Sequence, residues 1–405
     1  MCGIAGFCNF KEDFEENTDY WNFRLEKMRA VLAHRGNDAR GRYLKKHIGL
    51  SHSRLAIRDI LCGDQPMTRT HNGYEYTICY NGEIYNTDEL IPELSENGFV
   101  CSTTSDTEVI LYAYIHWGAD FVNRLNGIFA FAIWDTAKSR LLLYRDRVGV
   151  KPLFYAIRGD SLVFGSEPKA CFAHPAVKPE LDKQGLQELL AIGPAHTSGL
   201  SLFKDLFEVL PGHFMIYSRD GLHDETYWEL TSREHTESYR DTVAHTRFLV
   251  EDAIKRQMVS DVPVCTFLSG GIDSSIVTAI AANYMNTRGK TLNTFSFDFK
   301  DNDRYFKANA FQPERDLPYV NRMLEEYETA HSYLECDENS LFKALFAAVD
   351  AKDMPGMTDV DSSLLYFCSL VSRKNKVALT GECADEIFGG YPWFYRKELL
   401  ERYGF

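Results

Sequence analysis

The sequence lacks the features that mark membrane, secreted and zinc-binding proteins. No apolar run approaches the ~20 residues that a membrane-spanning helix needs. The apolar start has neither the basic n-region nor the long h-region of a signal peptide. The ten cysteines form no CxxC pair and show no zinc-like spacing to the twelve histidines. We therefore expect a cytoplasmic protein with reduced thiols, no membrane partner and no structural zinc.

Positive charge is also scarce. The 44 Lys and Arg residues are outnumbered by 58 Asp and Glu residues, which gives a formal net charge of −14. Non-specific nucleic-acid binding requires a basic surface that neutralises phosphates, so the charge balance argues against a nucleic-acid partner. Acidity indicates solubility but does not identify a substrate.

The length and the apolar pattern indicate two domains. A chain of 405 residues exceeds one ordinary core and favours two domains of about 200 residues each. In the first half, short apolar segments separated by turns predict strands at 4–7, 48–57, 76–80, 128–134, 141–144, 153–157 and 162–164. Helices are predicted at 20–33 and 106–117. This pattern indicates packed antiparallel sheets with helices outside them.

The second half has a different rhythm, in which strands and helices alternate. Strands are predicted at 262–268, 292–299, 331–334 and 377–379, with helices before, between and after them, the first at 242–258. Such alternation indicates βαβ units and a parallel sheet. The predicted organisation is a domain at 1–211, a linker at 212–240 and a domain at 241–405.

Cys2 directly follows the initiator methionine. Removal of Met1 would leave a thiol and a free α-amine on one residue. The amine, with an ordinary pKa of about 8, can act as the base that activates the sulfur. A cysteine at this position is often an ordinary terminal residue, so its role depends on what surrounds it.

Several polar residues have the chemistry that amide hydrolysis needs. Asn81 and Gly82 follow a predicted strand and offer a side-chain amide and an unobstructed backbone N–H for a tetrahedral oxyanion. Asp106 and Arg54 suit the α-amine and the carboxylate of a free amino acid. Each of these also has an ordinary interpretation. Asn81-Gly82 could be a turn, Asp106 a helix cap and Arg54 a surface charge. Their spacing leaves both interpretations open.

Three stretches together resemble the class II glutamine amidotransferase domain: residues 1–7 (MCGIAGF), 34–38 (HRGND) and 81–85 (NGEIY). The resemblance implies an α+β N-terminal-nucleophile fold, a four-layer αββα sandwich. It also implies that Cys2 is the nucleophile and its own amine the base. The implied oxyanion hole is Asn81 and Gly82. The implied glutamine-binding residues are Arg54, Asn81, Gly82, Glu83 and Asp106.

One residue departs from that family pattern. Asn37 stands where the family usually has proline, which would stiffen the loop. The change loosens the loop without removing a reactive group.

Residues 268–275 (LSGGIDSS) lie between a predicted strand and a predicted helix. Two glycines let backbone N–H groups form an anion-binding nest, and the helix N-terminus adds positive partial charge. The GxxxxGK[ST] pattern of a Walker loop is absent from the sequence. Asp273 would repel a phosphate unless Mg²⁺ lies between them. The alternative is an ordinary turn followed by a helix cap.

Together with residues 379–391 (LTGECADEIFGGY), this loop resembles the class B, glutamine-hydrolysing asparagine synthetase family. The resemblance implies an α/β parallel-sheet adenine-nucleotide domain of the ATP pyrophosphatase type. Asp273 and Asp385 would bind Mg²⁺, and Glu382 would act catalytically near the reacting carboxylate. Thr380 and the pair Cys383-Ala384 depart mildly from the usual Ser and Gly-Ser. The implied ATP and pyrophosphate residues are Phe267, Leu268, Ser269, Gly270, Gly271, Asp273, Ser274, Ser275, Phe297, Thr380 and Gly381.

The resemblance implies glutamine-dependent asparagine synthesis. Glutamine hydrolysis at Cys2 would release ammonia, which would attack a β-aspartyl-AMP formed from aspartate and ATP. The partners would be these small molecules, and the family implies a homodimer. An amidotransferase acting on another carboxylate, such as a cell-wall precursor, shares every motif. A β-lactam-forming relative would dispense with Cys2, and a non-catalytic homologue would be expected to lose Cys2, Asp273 or Asp385.

Two features concern the synthetase half. Family members continue past the 379–391 motif with further helices and a catalytic lysine, so we expect this sequence to be a fragment. The stretch 354–363, near which the family binds aspartate, contains no arginine and has only Lys352 beside it as a cation. We expect the missing segment to supply the positive charge.

Overall fold

The computed structural model describes residues 1–308 and 314–398. Its contacts divide the chain into two units. The first comprises Met1–Glu234 together with Phe346–Thr358, and the second comprises His235–Leu345 and the residues from Asp359 onward. The predicted functional division at 211 and 241 stays a prediction.

Two six-stranded antiparallel sheets form the first unit. The first sheet has the order β10-β8-β9-β1-β3-β2 and the second has the order β12-β11-β7-β6-β5-β4. The strands are β1 (Gly3–Asn9), β2 (Ala39–Lys45), β3 (Ile48–Arg54), β4 (Met67–His71), β5 (Tyr74–Ile84), β6 (Gly127–Asp135), β7 (Arg140–Arg145), β8 (Phe154–Arg158), β9 (Ser161–Gly165), β10 (Phe207–Glu208), β11 (His213–Ser218) and β12 (Gly221–Thr226).

Helices cover the outer faces of both sheets. The helices are α1 (Thr18–Ala30), α2 (Thr87–Glu96), α3 (Asp106–Trp117), α4 (Pro168–Phe172) and α5 (Lys183–Ala191), with 3₁₀ turns at Phe14–Asn17, Ala33–Arg35 and Ala119–Arg124. Leu50 and Leu143 belong to the apolar layer between the sheets. Leu25 of α1 packs with Phe7, and Ile110 of α3 packs with Phe131. The order helix, sheet, sheet, helix confirms the predicted αββα sandwich.

The central strand β1 is buried along its whole length because it pairs with β3 and β9 and is covered on both faces. Gly6 in this strand has no room for a side chain, since a Cβ would lie 2.4 Å from the carbonyl O of Gly49. Helix α3 has the predicted bounds because Ser105 caps its start and Gly118, at φ 75°, ends it.

Part of the stretch predicted as a linker is instead β-sheet. Residues 213–226 form β11 and β12, and β11 pairs with β7 of the second sheet. The reason is burial, because Phe214, Met215 and Tyr217 of β11 are less than a tenth exposed. The burial of these apolar side chains favours strand pairing with β7, although the segment as a whole is polar.

The second unit is built on a four-stranded parallel sheet of order β15-β14-β13-β16. The strands are β13 (Val264–Phe267), β14 (Leu292–Phe299), β15 (Thr329–Cys336) and β16 (Val377–Leu379). The helices are α6 (Tyr239–Arg256), α7 (Ile272–Asn286), α8 (Asn302–Tyr305), α9 (Leu317–Glu326), α10 (Glu338–Lys352), α11 (Thr358–Val371), α12 (Ala384–Phe388) and α13 (Pro392–Tyr395). Predicted strands 292–299 and 377–379 have the observed bounds, and the parallel sheet is confirmed.

Helices lie on both faces of this parallel sheet. Ala281 and Ala282 of α7 pack with Val264, whereas Val371 of α11 packs with Cys265 on the other face. The chain leaves β13 for β14 on one side, and β16 pairs with β13 on the other. Such a reversal of strand order places a crevice at the carboxyl ends of the neighbouring strands. Within the described ranges, none of the helices is long and apolar enough to cross a membrane.

The packing of β1 against α1 yields a stability prediction. Phe7 is 1% exposed, and its ring lies 4.9 Å from Phe14 and 5.0 Å from Trp21 between ring centres. Phe7→Ala should lower the free energy of unfolding by about 3–5 kcal/mol, because it leaves a cavity. Phe23→Ala on α1 is the matched control, since Phe23 is 54% exposed. Urea denaturation followed by tryptophan fluorescence measures both, and equal losses would contradict the assignment of Phe7 to the core.

Candidate functional site

Cys2 lies immediately before β1, and its position depends on the end of β3. The Sγ atom is 3.4 Å from the backbone N of Leu55 and 3.6 Å from the carbonyl O of that residue. Leu55 directly follows β3, which pairs antiparallel with β1, so the start of one strand meets the end of the other. Arg35 Nε donates a hydrogen bond of 2.9 Å to the carbonyl O of Cys2.

Burial disfavours the charged forms of the Cys2 thiol and of the terminal amine on Met1. It raises the pKa of the Cys2 thiol, although the hydrogen bond from Leu55 opposes the shift. It also lowers the pKa of the terminal amine on Met1 to about 5, with Arg35 and Lys151 acting in the same direction. The terminal amine of Met1 is therefore neutral near pH 7.

The end of β5 carries polar side chains with unused hydrogen-bonding capacity. Asn81 and Glu83 pair with Ala130 and Ile128 of β6, and Gly82 lies between them. A Cβ on Gly82 would lie 2.3 Å from the carbonyl O of Ile128, so only glycine fits. Among the described residues, neither Asn81 Nδ2 nor Glu83 Oε2 has a hydrogen-bond partner, although both atoms are buried. Buried polar groups normally have partners, so these atoms are suited to a ligand.

Glu83 and Asp106 are two buried carboxylic acids that influence each other. Burial raises the pKa of Glu83 well above its ordinary value, and the charge of Asp106 raises it further. Burial also raises the pKa of Asp106, whose Oδ2 accepts hydrogen bonds from Tyr80 OH (2.8 Å) and Ile84 N (3.0 Å). A ligand that brings an ammonium group here would relieve the repulsion between these acids.

Arg54, predicted to bind glutamine, has its guanidinium engaged by a loop. Its Nη1 donates to the carbonyl O of Ile60 at 3.1 Å and to Asp64 Oδ1 at 3.0 Å. Its Nη2 donates to the carbonyl O of Arg58 and of Asp59. The residue is 5% exposed, and its charge lowers the pKa of the Cys2 thiol. Arg54 therefore organises the 58–64 loop, and its binding of glutamine stays a prediction.

Two further cations of the site are not indicated by the sequence motifs. Lys151 is 8% exposed, and its Nζ lies 3.1 Å from Met1 Sδ. Arg58 donates to the carbonyl O of Ile84 at 2.9 Å, and its charge lowers the pKa of Asp106 and Glu83. Nothing in the local sequence around Lys151 distinguishes it from a surface lysine, because only the fold brings it to the chain start.

In the second unit, residues 268–275 connect β13 to α7 through a tight set of hydroxyl contacts. Ser274 Oγ lies 3.0 Å from Ser269 Oγ and accepts from Ser269 N at 3.2 Å. Gly270, at φ 83°, takes a conformation that favours glycine, and a Cβ there would lie 2.8 Å from Tyr319 Cβ. Ser275 N donates to the carbonyl O of Gly271. The predicted strand–loop–helix arrangement is therefore present.

A cavity of about 710 Å³ lies beside this loop. The loop 379–391 contributes to its wall, and Gly381 packs tightly on Asp273, since a Cβ would lie 2.8 Å from Asp273 Cβ. Gly270 and Ser275 are not part of the lining. The predicted residues that line the cavity are Phe267, Leu268, Ser269, Gly271, Asp273, Ser274, Phe297, Thr380, Gly381, Glu382 and Asp385.

Asp273 and Asp385 fit the binding of Mg²⁺. Burial raises the pKa of Asp273, and the negative charge of Asp385 raises it further. Both residues line the cavity. Mg²⁺ in nucleotide sites is usually bound by one or two carboxylates together with phosphates and water. The donor set suits that ion.

Arg315 is the one basic residue in the described lining of this cavity, and the motifs do not indicate it. Its Nη2 lies 3.5 Å from Asp298 Oδ2. Its Nε is buried without a hydrogen-bond partner in the part of the chain that the structure describes. The guanidinium therefore retains one unused hydrogen-bond donor, at Nε.

Family models match both halves of the chain. A model described as "Glutamine amidotransferase domain" matches residues 1–228, and a model described as "Asparagine synthase" matches residues 245–405. The class that the sandwich and its chain-start cysteine define is accordingly that of the glutamine amidotransferases.

Three relatives identify a family within this class. Asparagine synthetase [glutamine-hydrolyzing] 3 of Bacillus subtilis is 48% identical over 98% of this chain and 64% of its own length. A putative asparagine synthetase [glutamine-hydrolyzing] 2 of Methanocaldococcus jannaschii is 32% identical over 99% of this chain and 78% of its own. Amidase chyE of Penicillium rubens is 32% identical over 99% of this chain and 60% of its own. The chain belongs to the glutamine-hydrolysing asparagine synthetase family, and it spans less than two thirds of the first and third of these proteins.

His52 supports the strand that carries Asn81. Its Nε2 lies 3.0 Å from the carbonyl O of Tyr80, to which it donates, and burial lowers its pKa to about 4 from 6.5. Because the folded value is the lower one, the unfolded chain binds the proton first as the pH falls. The stability due to neutral His52 is therefore complete above about pH 6.5 and is lost as the pH falls towards 4.

We expect His52→Gln to weaken the pH dependence of stability. Between pH 7 and pH 5 the free energy of unfolding of the unaltered protein should fall by roughly 2 kcal/mol more than that of the variant. Urea denaturation at the two pH values measures the difference. The exposed His223, replaced by Gln, should keep the original pH dependence. The assignment fails if the two variants behave alike.

Proposed function

We propose that this chain takes part in glutamine-dependent asparagine synthesis through a glutaminase site at Cys2 and an ATP site beside residues 268–275. The proposal is carried by one observation. A cysteine thiol at the chain start lies in the same unit as two buried polar atoms without described partners, Asn81 Nδ2 and Glu83 Oε2. Such atoms are costly unless a ligand uses them.

In the proposed glutaminase reaction Cys2 Sγ attacks the side-chain amide carbon of glutamine. The α-amine of Cys2, free once Met1 is removed, accepts the thiol proton and passes it to the leaving nitrogen, so that ammonia departs and a thioester remains. Asn81 Nδ2 and the backbone N–H of Gly82 donate to the oxyanion. Water then hydrolyses the thioester to glutamate and frees the thiol.

Glu83 and Asp106 are proposed to bind the α-ammonium of glutamine. Their raised pKa values follow from burial and mutual repulsion, and both effects diminish when a cation lies between them. Arg54 is proposed to serve the carboxylate end, with the 58–64 loop that it organises.

The second site is proposed to activate the acceptor with ATP. Residues 268–275 and 380–381 would bind the phosphates and nucleotide, and Glu382 would lie near the reacting carboxylate. Asp273 and Asp385 would hold Mg²⁺, which offsets the charge of departing pyrophosphate when bound. An acyl-adenylate converts a poor electrophile into one that ammonia can attack, with AMP as the leaving group.

Aspartate is the proposed acceptor because two of the relatives described above are named as asparagine synthetases. A second candidate is amidation of another carboxylate. It is favoured by the relative named Amidase chyE, which is as similar as the archaeal protein.

We also propose a cytoplasmic location and a homodimer. All ten cysteines are free thiols in the structure, as expected in a reducing compartment. The dimer rests on the family alone, and light scattering of the purified chain tests it.

The decisive experiment follows nitrogen from amide-¹⁵N-glutamine in the presence of ATP, Mg²⁺ and aspartate. Mass spectrometry should detect label in asparagine with one AMP formed for each asparagine. Label in ammonia alone would support the Cys2 site and reject aspartate amidation by this chain, whereas an absence of labelled ammonia would reject the proposal. A panel of other carboxylates tests the second candidate.

Cys2→Ala should reduce glutamine use by on the order of a thousandfold or more, because the nucleophile is lost. Synthesis from added ammonium salt should persist. Cys101→Ala is the matched control, since Cys101 is a free thiol of similar intermediate exposure, and it should retain glutamine use. A Cys2→Ala variant that still hydrolyses glutamine would exclude Cys2 as the nucleophile.

Asp273→Asn should have the opposite effect to Cys2→Ala, because it should impair the ATP site and not the glutaminase site. It removes one of the two carboxylates proposed to hold Mg²⁺, so Mg²⁺-dependent ATP binding should weaken by about tenfold or more. Glutamine hydrolysis should be unchanged. Isothermal titration with Mg²⁺ and ATP measures the first effect, and Asp303→Asn, on α8, serves as the control. Unaltered Mg²⁺-dependent ATP binding would remove Asp273 from the metal site.

A further inference from the structure

We propose that Glu167 is a positioning residue for Cys2, that it acts through Arg35, and that Lys169 and Asp353 hold it in place. The inference rests on the proposed glutaminase function and gives roles to four residues to which the sequence analysis assigns none. The four side chains form one continuous chain of ion pairs, which begins at the backbone of Cys2.

A positioning network is needed because the proposed nucleophile, Cys2, lies at the end of the chain. Residues at a chain end are poorly ordered unless other parts of the protein hold them. The first strand pair of the ladder begins at Gly3, so Cys2 itself lies just outside it. The bond from Arg35 Nε to the carbonyl O of Cys2 supplies the missing restraint. It does not involve Met1 and is therefore kept when Met1 is removed.

Arg35 can perform this role only if its guanidinium is fixed. Its Nη1 donates to Glu167 Oε1 at 2.7 Å, and the two side chains are 7% and 10% exposed. His34 Nε2 lies 3.0 Å from the same oxygen. Although burial acts in the opposite direction, the bonds from His34, Arg35 and Lys169 lower the pKa of Glu167 to about 2. Glu167 therefore remains a carboxylate through the working pH range.

The position of Glu167 is set by the sheet that carries Cys2. Strand β9 pairs with β1 and ends at Gly165, two residues before Glu167. Between them, Ser166 Oγ accepts a bond of 3.0 Å from Ile4 N, and Ser166 N donates to the carbonyl O of Ile4 at 2.9 Å. Glu167 is thus tied to the first residues of β1 by rigid backbone, which is the arrangement that precise positioning requires.

The outer end of the network comes from a distant part of the sequence. Lys169 Nζ lies 2.9 Å from Glu167 Oε2 and 3.3 Å from Asp353 Oδ1, and Lys169 N donates to Asp353 Oδ2 at 3.1 Å. The segment Phe346–Thr358 groups with the first unit, although it lies within the stretch that matches the asparagine synthase model. Asp353 therefore contributes to the order of the glutaminase site from outside the amidotransferase sequence.

Glu167→Gln tests the proposal because it keeps the shape and removes the charge. We expect kcat for glutamine hydrolysis to fall about tenfold or more, with the KM for glutamine within about twofold, because the nucleophile and not the substrate is displaced. Glu188→Gln is the matched control, because Glu188 is as buried as Glu167 and accepts hydrogen bonds from Thr197.

Two thiol reagents separate positioning from general damage. Inactivation by 6-diazo-5-oxo-L-norleucine, which reacts from the glutamine position, should slow in Glu167→Gln in parallel with kcat. Alkylation of Cys2 by iodoacetamide, which needs an accessible thiolate but no placement relative to bound glutamine, should keep its rate. Equal slowing of both reactions, or no change relative to Glu188→Gln, would overturn the proposal.

Asp353→Asn provides a second test that leaves Arg35 and Glu167 in place. It should shift the ratio of the two inactivation rates in the same direction by a smaller factor, and an unchanged ratio would remove Asp353 and Lys169 from the network. If the unaltered protein neither hydrolyses glutamine nor reacts with the norleucine analogue, the proposed function fails. If it does both and Glu167→Gln is unaffected, only this inference fails.

Discussion

The pairing of β1 with β3 and β9 is the constraint on which the first unit depends. It turns the first residues of the chain, which would otherwise fray, into the buried centre of a six-stranded sheet. Since β1 and β3 run antiparallel, the start of β1 meets the segment after β3, where Leu55 contacts the thiol of Cys2. Backbone pairing therefore brings Cys2, the proposed nucleophile, beside Leu55, and the hydrogen bond from Arg35 to its carbonyl O adds a side-chain restraint.

The second unit obtains its site from strand order. Parallel pairing of β13 with β16 brings the carboxyl ends of both strands to one edge, and each strand is followed by a glycine-containing loop and an acidic residue. Asp273 and Asp385 become neighbours through this arrangement, although more than a hundred residues separate them in sequence. Close packing of Gly381 on Asp273 then leaves no space for a larger residue between the loops.

Much of the fold could be predicted because its signals are local. The strands at 292–299 and 377–379 and the helix at 106–117 are bounded by turn or cap residues that act within a few positions. Strands β11 and β12 were missed because β11 is buried by pairing with β7, about 70 residues away, and β12 pairs in turn with β11. Edge pairing of this kind has no local signal.

The residues of the candidate sites also divide into those with a local sequence signal and those without one. Cys2, Asn81 and Asp273 belong to recognisable motifs, and their residue types indicate the chemistry that they can perform. Lys151 and Glu167 belong to no motif used in the prediction, since their roles arise from the register of β1 with β9 and from burial near Met1. The unused donor of Asn81 and the engaged guanidinium of Arg54 likewise become visible only when hydrogen-bond partners can be assigned in three dimensions.

Burial acts in opposite senses on the thiol of Cys2 and the terminal amine of Met1. It raises the pKa of the thiol and lowers that of the Met1 amine to about 5, so both groups are uncharged near pH 7 in this chain. A thiolate–ammonium pair would be costly here without a ligand. In the proposed complex, the ammonium group of glutamine would offset the charges of Glu83 and Asp106, which otherwise raise the pKa of nearby acids. Because the charge of Glu83 is one of the effects that raise the pKa of the Cys2 thiol, the proposed binding of glutamine confines the reactive thiolate to the occupied site.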